Sequence, residues 1–139
     1  MIDIGKKKIT KRKAIAEGTI ILDKKIIEDI KKQKIPKGDV LNISKASALV
    51  AIKHTPLLIP FCHPVKITKG DITFEIFDDR IKVICEVEGI DRTGFEMEAL
   101  VGVCICLLTI YDMCKVYGYK MQIKEIKLIK KTGGKSSKF

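Results

Sequence analysis

The sequence is poor in several features that mark particular classes of protein. Its 139 residues include no tryptophan, four prolines and 6% aromatic residues. None of its five cysteines forms a C-x-x-C pair, so we expect them to serve as small core side chains in a reducing compartment. The start of the chain carries charges where a secretion signal would have an apolar segment, which predicts a cytoplasmic protein.

Long apolar runs and nucleic-acid motifs are also missing. The longest uncharged run in the helical part covers residues 99–111, fewer than the about 20 residues that a membrane span needs. We therefore expect no membrane contact. The few aromatics and the lack of an RNP-like strand argue against a nucleic-acid partner. A non-catalytic basic domain that binds RNA or a nucleotide remains the alternative on charge alone.

Positive charge and apolar residues are plentiful. Lys and Arg number 27 against 17 Asp and Glu, a net charge of +10, and 46% of the residues are hydrophobic. This composition indicates one folded domain over residues 1–139, with a basic, flexible tail at 131–139. It also favours an anionic partner such as a phosphorylated small molecule.

The order of patterns predicts an α+β fold. We expect loose residues at 1–13, a strand at 14–22, a short helix capped by Asp23 and a second helix from Asn42 or Ser44 to Pro56. A buried rigid loop follows at 56–64. A hairpin at 71–88, a helix that starts with a Thr93 capping box and ends near Gly118, and a strand at 123–130 complete the pattern. A ferredoxin-like sandwich, a mainly antiparallel sheet packed against helices, fits best.

Three places in the sequence offer chemistry. His63 sits in the proline-rich loop beside Cys62, where a buried structural histidine and a functional one both remain open. Glu98 lies in the first turn of the long helix, where the helix dipole alone would explain it. Asp112 and Lys115 share one face of the same helix, which is apolar almost all round and therefore predicted to be buried. A buried ion pair is costly, which favours a functional role for this pair.

The long helix also separates two of these candidates. Glu98 and Asp112 are 14 residues apart, or about 21 Å along an unbroken helix. One small substrate can hardly touch both within one chain. The spacing predicts a site assembled from two subunits, unless the helix bends.

Five segments together resemble one known family. They are KGDV at 37–40, PFCHP at 60–64, TGFEMEAL at 93–100, LTIYDMCK at 108–115 and KTGGKS at 131–136. In this order they are similar to the motifs of the cyclic pyranopterin monophosphate synthase family, the molybdenum cofactor biosynthesis protein C family. The resemblance covers nearly the whole chain.

The resemblance implies a lyase of molybdenum cofactor biosynthesis. The family converts 3′,8-cyclo-7,8-dihydroguanosine 5′-triphosphate into cyclic pyranopterin monophosphate and releases pyrophosphate. It has a ferredoxin-like fold and forms hexamers, as trimers of dimers, with the active site between subunits. No resident metal or other cofactor is firmly implied, and Mg²⁺ accompanying the triphosphate is left open.

The motif match also implies roles for individual residues. Asp112 matches the catalytic acid/base, and its lysine partners are Lys115, Lys53 and Lys37. The segment Phe61, Cys62 and His63 matches a substrate-binding loop, and Met97 with Glu98 matches a second binding segment. Lys131 and Lys135, in the last segment, match contacts to the triphosphate. The sequence departs from the family pattern at Phe61, Phe95 and His54, where Leu, a smaller β-branched residue and Arg are usual.

Overall fold

The computed structural model describes residues 1–135 and has an α+β fold, with one four-stranded antiparallel sheet packed against helices. A 3₁₀ turn, Lys115–Tyr117, follows the longest helix. In chain order the strands and α-helices are β1 (Thr10–Ile21), α1 (Lys24–Lys31), α2 (Val40–Lys53), α3 (Thr55–Leu58), β2 (Ile67–Ile76), β3 (Arg80–Asp91), α4 (Glu96–Cys114) and β4 (Gln122–Thr132).

The sheet has the order β2-β3-β1-β4, and every neighbouring pair is antiparallel. The predicted hairpin is confirmed as β2 and β3, with Ile72 opposite Cys85. Alternate side chains of β3, such as Val83 and Val87, are fully buried on the helical side of the sheet. The two-residue alternation in the sequence therefore identified the face that forms the core.

Helix α4 packs against β1, β3 and α2. Gly18 in β1 permits this close approach, because a Cβ there would lie only 2.8 Å from side-chain carbons of Leu107 and Val103. The apolar residues of α4 that face inward are buried, which makes this helix the centre of the core: Ala99, Val103, Cys106, Leu107 and Ile110. By packing on the sheet, α4 fixes both of its own ends relative to β1 and α2.

The length argument against a membrane span does not hold. The helical stretch Glu96–Tyr117 has 22 residues and is long and apolar enough to cross a membrane by length and composition alone. Half of its most apolar window is buried inside the fold. Its contacts with the sheet explain the apolar composition, because the core helix of a small domain needs the same residues.

Helix α4 is not buried all round, contrary to the prediction. Leu108 and Tyr111 on its outer side are exposed. The sequence pattern was misleading because these exposed positions carry apolar or aromatic side chains. They form an uncovered strip on the helical layer of one chain.

Several predicted boundaries are corrected. Asp39 caps α2, accepting from the Asn42 amide at 3.2 Å, so the helix begins before Asn42 and Ser44. The long helix has Phe95 at its N-cap with no side-chain cap bond, so the Thr93 capping box is wrong. The Asp23 cap is confirmed at 2.8 Å, and Gly118 ends the α4 region with φ 73°, as predicted.

Residues 10–13 and 131–132 are more ordered than predicted. The first strand begins at Thr10, inside the segment predicted to be loose. The last strand runs to Thr132, so Lys131 lies in β4 and not in a flexible tail. The loop at 56–64 includes the short helix α3, and Phe61 in it is 78% exposed, so its predicted burial is wrong. Residues 136–139 of the predicted tail lie outside the described residues.

Candidate functional site

A small pocket lies at the amino end of α4. The loop after α3 and the start of α4 line it together, and its volume is about 180 Å³. All five residues that the sequence assigned to substrate binding in these two segments line this pocket: Phe61, Cys62, His63, Met97 and Glu98. The structure therefore brings together two motifs that are more than 30 residues apart in the sequence.

Glu98 is the most unusual group in this pocket. Glu98 is only 2% exposed, and this burial raises the pKa of its carboxyl group to about 7. Burial also raises the pKa of the Cys62 thiol, and the nearby Glu98 carboxylate adds to that effect. Near neutral pH, Glu98 can therefore exist with or without its proton, which suits a group that must donate a hydrogen bond or accept one.

Glu96 makes an ion pair where the sequence predicted a capping box. Its Oε1 lies 2.7 Å from Nζ of Lys131 in β4. Burial would raise the pKa of Glu96, yet the Lys131 contact and the charge of Arg12 hold it below its ordinary value. Lys131 thus reaches the amino end of α4, where its ammonium group is held by the Glu96 carboxylate.

The sequence analysis missed a basic pocket between the start of β1 and the residues that follow β4. Its volume is about 520 Å³, and it is lined by five cationic side chains together with Thr10, Gly133 and Gly134. The cationic residues are Lys6, Lys7, Lys8, Arg12 and Lys135. The run of three lysines near the start of the chain was the available signal, but it was interpreted as a loose end.

Contacts made by Arg12, Thr10 and Gly133 shape this basic pocket. Arg12 is largely buried, and its guanidinium donates to the main-chain oxygens of Asp91 and Arg92 at 3.1 Å each. Gly133 has φ 93°, and a Cβ there would collide with the Lys11 carbonyl oxygen. The Thr10 hydroxyl donates to the Gly133 carbonyl at 2.8 Å. The turn at Gly133 therefore brings the chain back so that Lys135 lines the same pocket as Arg12.

The two pockets border a common surface. A third pocket of about 460 Å³ shares Phe61, His63 and Thr93 with the small pocket and Lys7 with the basic one. Met1, Ile2 and Ile4, at the start of the chain, complete the walls of this third pocket. The amino end of α4 therefore offers a small polar pocket and an adjoining cationic surface, a combination that fits a molecule with an aromatic ring and phosphates.

A second cluster lies at the carboxyl end of α4. Nζ of Lys115 is 3.1 Å from Asp112 Oδ1, and Nζ of Lys37 is 3.1 Å from Oδ2. Lys37 also donates to the Asp112 main-chain oxygen at 3.1 Å. Two hydrogen bonds, the stronger one from Lys115 and the other from Lys37, hold the pKa of Asp112 below its ordinary value. At neutral pH the resting cluster is therefore one carboxylate between two ammonium groups.

The cluster is exposed within one chain. The side chains of Asp112 and Lys115 are 56% and 59% exposed. The prediction that this pair is buried is therefore wrong for the single chain, because Asp112 lies on the uncovered strip of α4. The meeting of Lys37 with Asp112 was implied by the family resemblance and not by any spacing in the sequence.

Lys53 does not join this cluster in the described structure. It is the last residue of α2 and is exposed. Within residues 1–135 it takes part in no ion pair. Its assigned catalytic role stays a prediction.

The two groups of predicted site residues lie at opposite ends of one unbroken helix, Glu96–Cys114. The helix does not bend in a way that brings them together, since 14 residues of α-helix span about 21 Å.

Within residues 1–135 no group of three or more His, Cys, Asp and Glu side chains is arranged to hold a metal ion. All five cysteines are free thiols.

Comparison with known proteins gives one consistent result. The family model described as the MoaC family matches residues 1–134. The chain is 47% identical to the cyclic pyranopterin monophosphate synthase of Clostridium perfringens strain SM101 over 141 aligned residues, which cover 100% of this chain and 89% of the relative.

Two further relatives carry the same name. The cyclic pyranopterin monophosphate synthase of Listeria innocua is 46% identical, with 100% of this chain and 88% of the relative covered. That of Thermoanaerobacter pseudethanolicus is 44% identical, with 98% and 87% covered. The similarity thus extends over both ends of α4 and both pockets.

Proposed function

The chain belongs to the MoaC family, and we propose that it forms cyclic pyranopterin monophosphate from 3′,8-cyclo-7,8-dihydroguanosine 5′-triphosphate. The chain is an enzyme of molybdenum cofactor biosynthesis, as its curated relatives are cyclic pyranopterin monophosphate synthases. The identity of the substrate and the roles of the residues are the proposal. The observation that carries the roles is the placement of Lys37 and Lys115, each 3.1 Å from a different oxygen of Asp112.

The amino end of α4 would bind the substrate. Phe61, His63 and Glu98 would contact the guanine-derived ring, because their pocket combines apolar walls with groups that donate and accept hydrogen bonds. The adjoining cationic pocket would hold the triphosphate through Arg12 and Lys135. Lys131 would exchange Glu96 for a phosphate oxygen when the substrate arrives.

The carboxyl end of α4 would carry the proton transfers. In the reaction a sugar hydroxyl attacks the α-phosphorus, the bond to the bridging oxygen breaks, and pyrophosphate leaves. The ring rearrangement also requires protons to be removed and returned. With its lowered pKa, Asp112 is a proton acceptor in the resting enzyme, and the two lysines are donors and point charges.

The separation of the two ends supports an oligomeric enzyme. If the substrate contacts Glu98 of one subunit, Asp112 must come from another, as the geometry of α4 requires. The exposed apolar strip of α4, with Leu108 and Tyr111, is suited to such a contact. We propose a hexamer built as a trimer of dimers, as the family resemblance implies. The order β2-β3-β1-β4 with its β-α-β-β-α-β sequence supports a ferredoxin-like topology for each subunit.

We propose no resident metal, and a Mg²⁺ ion would be held through the phosphate oxygens of the substrate itself. The alternative, a basic domain that binds RNA or a nucleotide without catalysis, would need the positive surface but not the Asp112 cluster. The positive surface lies at the amino end of α4, whereas Asp112 lies at the carboxyl end. Binding alone gives no reason for that second cluster.

Turnover of the cyclised dihydro-GTP to cyclic pyranopterin monophosphate, with pyrophosphate release, tests the proposal. We expect activity in the wild type and its loss in Lys115→Ala, with the oligomer intact. Lys120→Ala is the matched control, since Lys120 is an exposed lysine of the same region and lines none of the pockets described above. Absence of turnover by the wild type, or full activity of Lys115→Ala, would contradict the proposal.

A further inference from the structure

A partly buried hydrogen bond ties the 3₁₀ turn after α4 to α1. The Tyr117 hydroxyl donates to Asp29 Oδ2 at 2.7 Å, across 88 residues of sequence. Nζ of Lys25 lies 3.1 Å from the other carboxylate oxygen of Asp29. Asp29 is buried and Tyr117 is half-buried. Neither Tyr117 nor Asp29 belongs to the motifs that carry the family resemblance.

The two partners stand next to the two lysines of the Asp112 cluster. Tyr117 ends the 3₁₀ turn that begins with Lys115. Asp29 precedes the loop that carries Lys37, and its main-chain oxygen accepts the Lys34 amide at 2.8 Å. The contact between Tyr117 and Asp29 therefore joins the segment of one lysine to the segment of the other.

The loop itself is rigid between its anchors. Ile35 and Val40, on either side of Lys37, are buried in the core. Gly38 has φ 120°, and its amide donates to the Ile35 carbonyl at 3.0 Å, closing a tight turn. A shift of α1 relative to the 3₁₀ turn would therefore move the whole Lys37 loop relative to Asp112.

The ion pairs of the cluster are poor at fixing their own geometry. Lys37, Lys115 and Asp112 all have side chains that are 43–59% exposed. Exposed pairs of long side chains gain little from holding one arrangement. A short hydrogen bond to a buried carboxylate is stronger and more directional. The rigid contact must be the one between Tyr117 and Asp29.

We propose that Tyr117 and Asp29 are positioning residues that keep Lys37 and Lys115 on the two oxygens of Asp112. The kinetic part of this inference rests on the proposed function, because it concerns the turnover step assigned to that cluster. The structural part does not, because the protonation of Asp112 reports the same arrangement without any substrate.

Tyr117→Phe is the decisive variant, since it removes the hydroxyl and keeps the ring. We expect kcat to fall about tenfold while KM changes less than about twofold, because the lysines are displaced and the substrate pocket is untouched. We also expect the pKa of Asp112 to rise toward its ordinary value. Carbon-13 NMR of the aspartate side chains measures it, with the Asp112 signal assigned by its loss in Asp112→Asn.

Two controls separate positioning from stability. Tyr119→Phe alters the neighbouring tyrosine, whose ring centroid is 6.5 Å from that of Tyr117, and should change neither readout. Ile72→Val weakens the core in β2, away from the cluster, and should lower the melting temperature but leave the Asp112 titration unchanged. Should Tyr117→Phe not fold, Asp29→Asn must shift the same readouts in the same direction.

The results distinguish the two proposals. If the wild type shows no turnover, the proposed function fails, and the Asp112 titration alone decides the positioning role. If Tyr117→Phe is destabilised but keeps the wild-type titration of Asp112, the contact is only structural and the inference is overturned. A raised Asp112 pKa together with a lowered kcat supports it.

Discussion

The two ends of α4 carry carboxylates in opposite electrostatic settings. At the amino end Glu98 is 2% exposed, and burial raises its pKa to about 7. At the carboxyl end Asp112 is exposed, and Lys115 and Lys37 lower its pKa. Burial without a cation favours the protonated acid, whereas cations without burial favour the carboxylate. The same helix thus presents one carboxyl group whose pKa lies near neutral pH and one that stays ionised between two lysines.

The largest effect should come from the carboxyl end. Asp112→Asn keeps the shape of the side chain but removes its ability to take up a proton. We expect kcat to fall on the order of 10²–10⁴-fold with KM near that of the wild type. Steady-state kinetics with the cyclised dihydro-GTP measures both constants. A large rise in KM with unchanged kcat would assign Asp112 to substrate binding and contradict its role in proton transfer.

At the amino end of α4, Glu98 should make the stability of the protein depend on pH. Between the ordinary value of 4.5 and about 7, the folded protein keeps a proton on Glu98 that the unfolded chain has released. The free energy of unfolding should therefore fall as pH rises through this window, by on the order of 2–3 kcal/mol from this group. Above about pH 7, Glu98 is ionised in both the folded and the unfolded state, so its effect on the free energy of unfolding no longer changes with pH.

Glu98→Gln tests that assignment because it cannot ionise. Chemical denaturation at several pH values should show a flatter profile for Glu98→Gln than for the wild type between pH 4.5 and 7. Asp112→Asn serves as the comparison and should keep the wild-type slope in the upper half of this window. An identical slope for Glu98→Gln and the wild type would show that Glu98 is not held in its protonated form by burial.

The cationic pocket should contribute a smaller effect on binding. Removing two of its lysines in Lys8→Ala/Lys135→Ala should raise KM about tenfold and reduce the salt dependence of KM, since fewer charges face the phosphates. Lys120→Ala, outside the pocket, is the control. If the variant lacking both lysines keeps the KM of the wild type, the triphosphate binds elsewhere.

The smallest effect is expected when Asp112, at the carboxyl end of α4, is replaced and the stability of the protein is measured. Because the ion pairs of Asp112 are exposed in the single chain and asparagine keeps the shape of the side chain, Asp112→Asn should leave the melting temperature within the scatter of repeated measurements at moderate salt. Thermal unfolding followed by circular dichroism measures it. A clear loss of stability would mean that this end is more than an exposed cluster of charges.

The sequence was most informative where one local pattern determines the structure. The alternation in β3 predicted its buried face, Gly118 predicted the end of the α4 region, and Asp23 predicted a helix cap. The spacing of Glu98 and Asp112 along one helix also predicted correctly that the two lie far apart. Each of these depends on residues that are close in the sequence.

The sequence was least informative where the structure depends on distant contacts. Thr93 does not cap α4 because the helix begins at Glu96, with Phe95 at its N-cap. Glu96 instead pairs with Lys131, which β4 brings to that end of the helix. The basic pocket forms because Gly133 turns the chain onto Lys11 and Arg12. The exposure of Asp112 could not be predicted either, since apolar neighbours on α4 suggested burial.

We propose that one active site uses the two ends of α4 from different subunits. Mixed oligomers of two inactive variants, Asp112→Asn and His63→Ala/Glu98→Gln, provide the test, with mass spectrometry confirming that subunits have exchanged. We expect each variant alone to be inactive and an equal mixture to regain about a quarter of the wild-type sites, those that pair the two intact ends. If the mixed oligomers stay inactive, both ends of the site must come from one subunit.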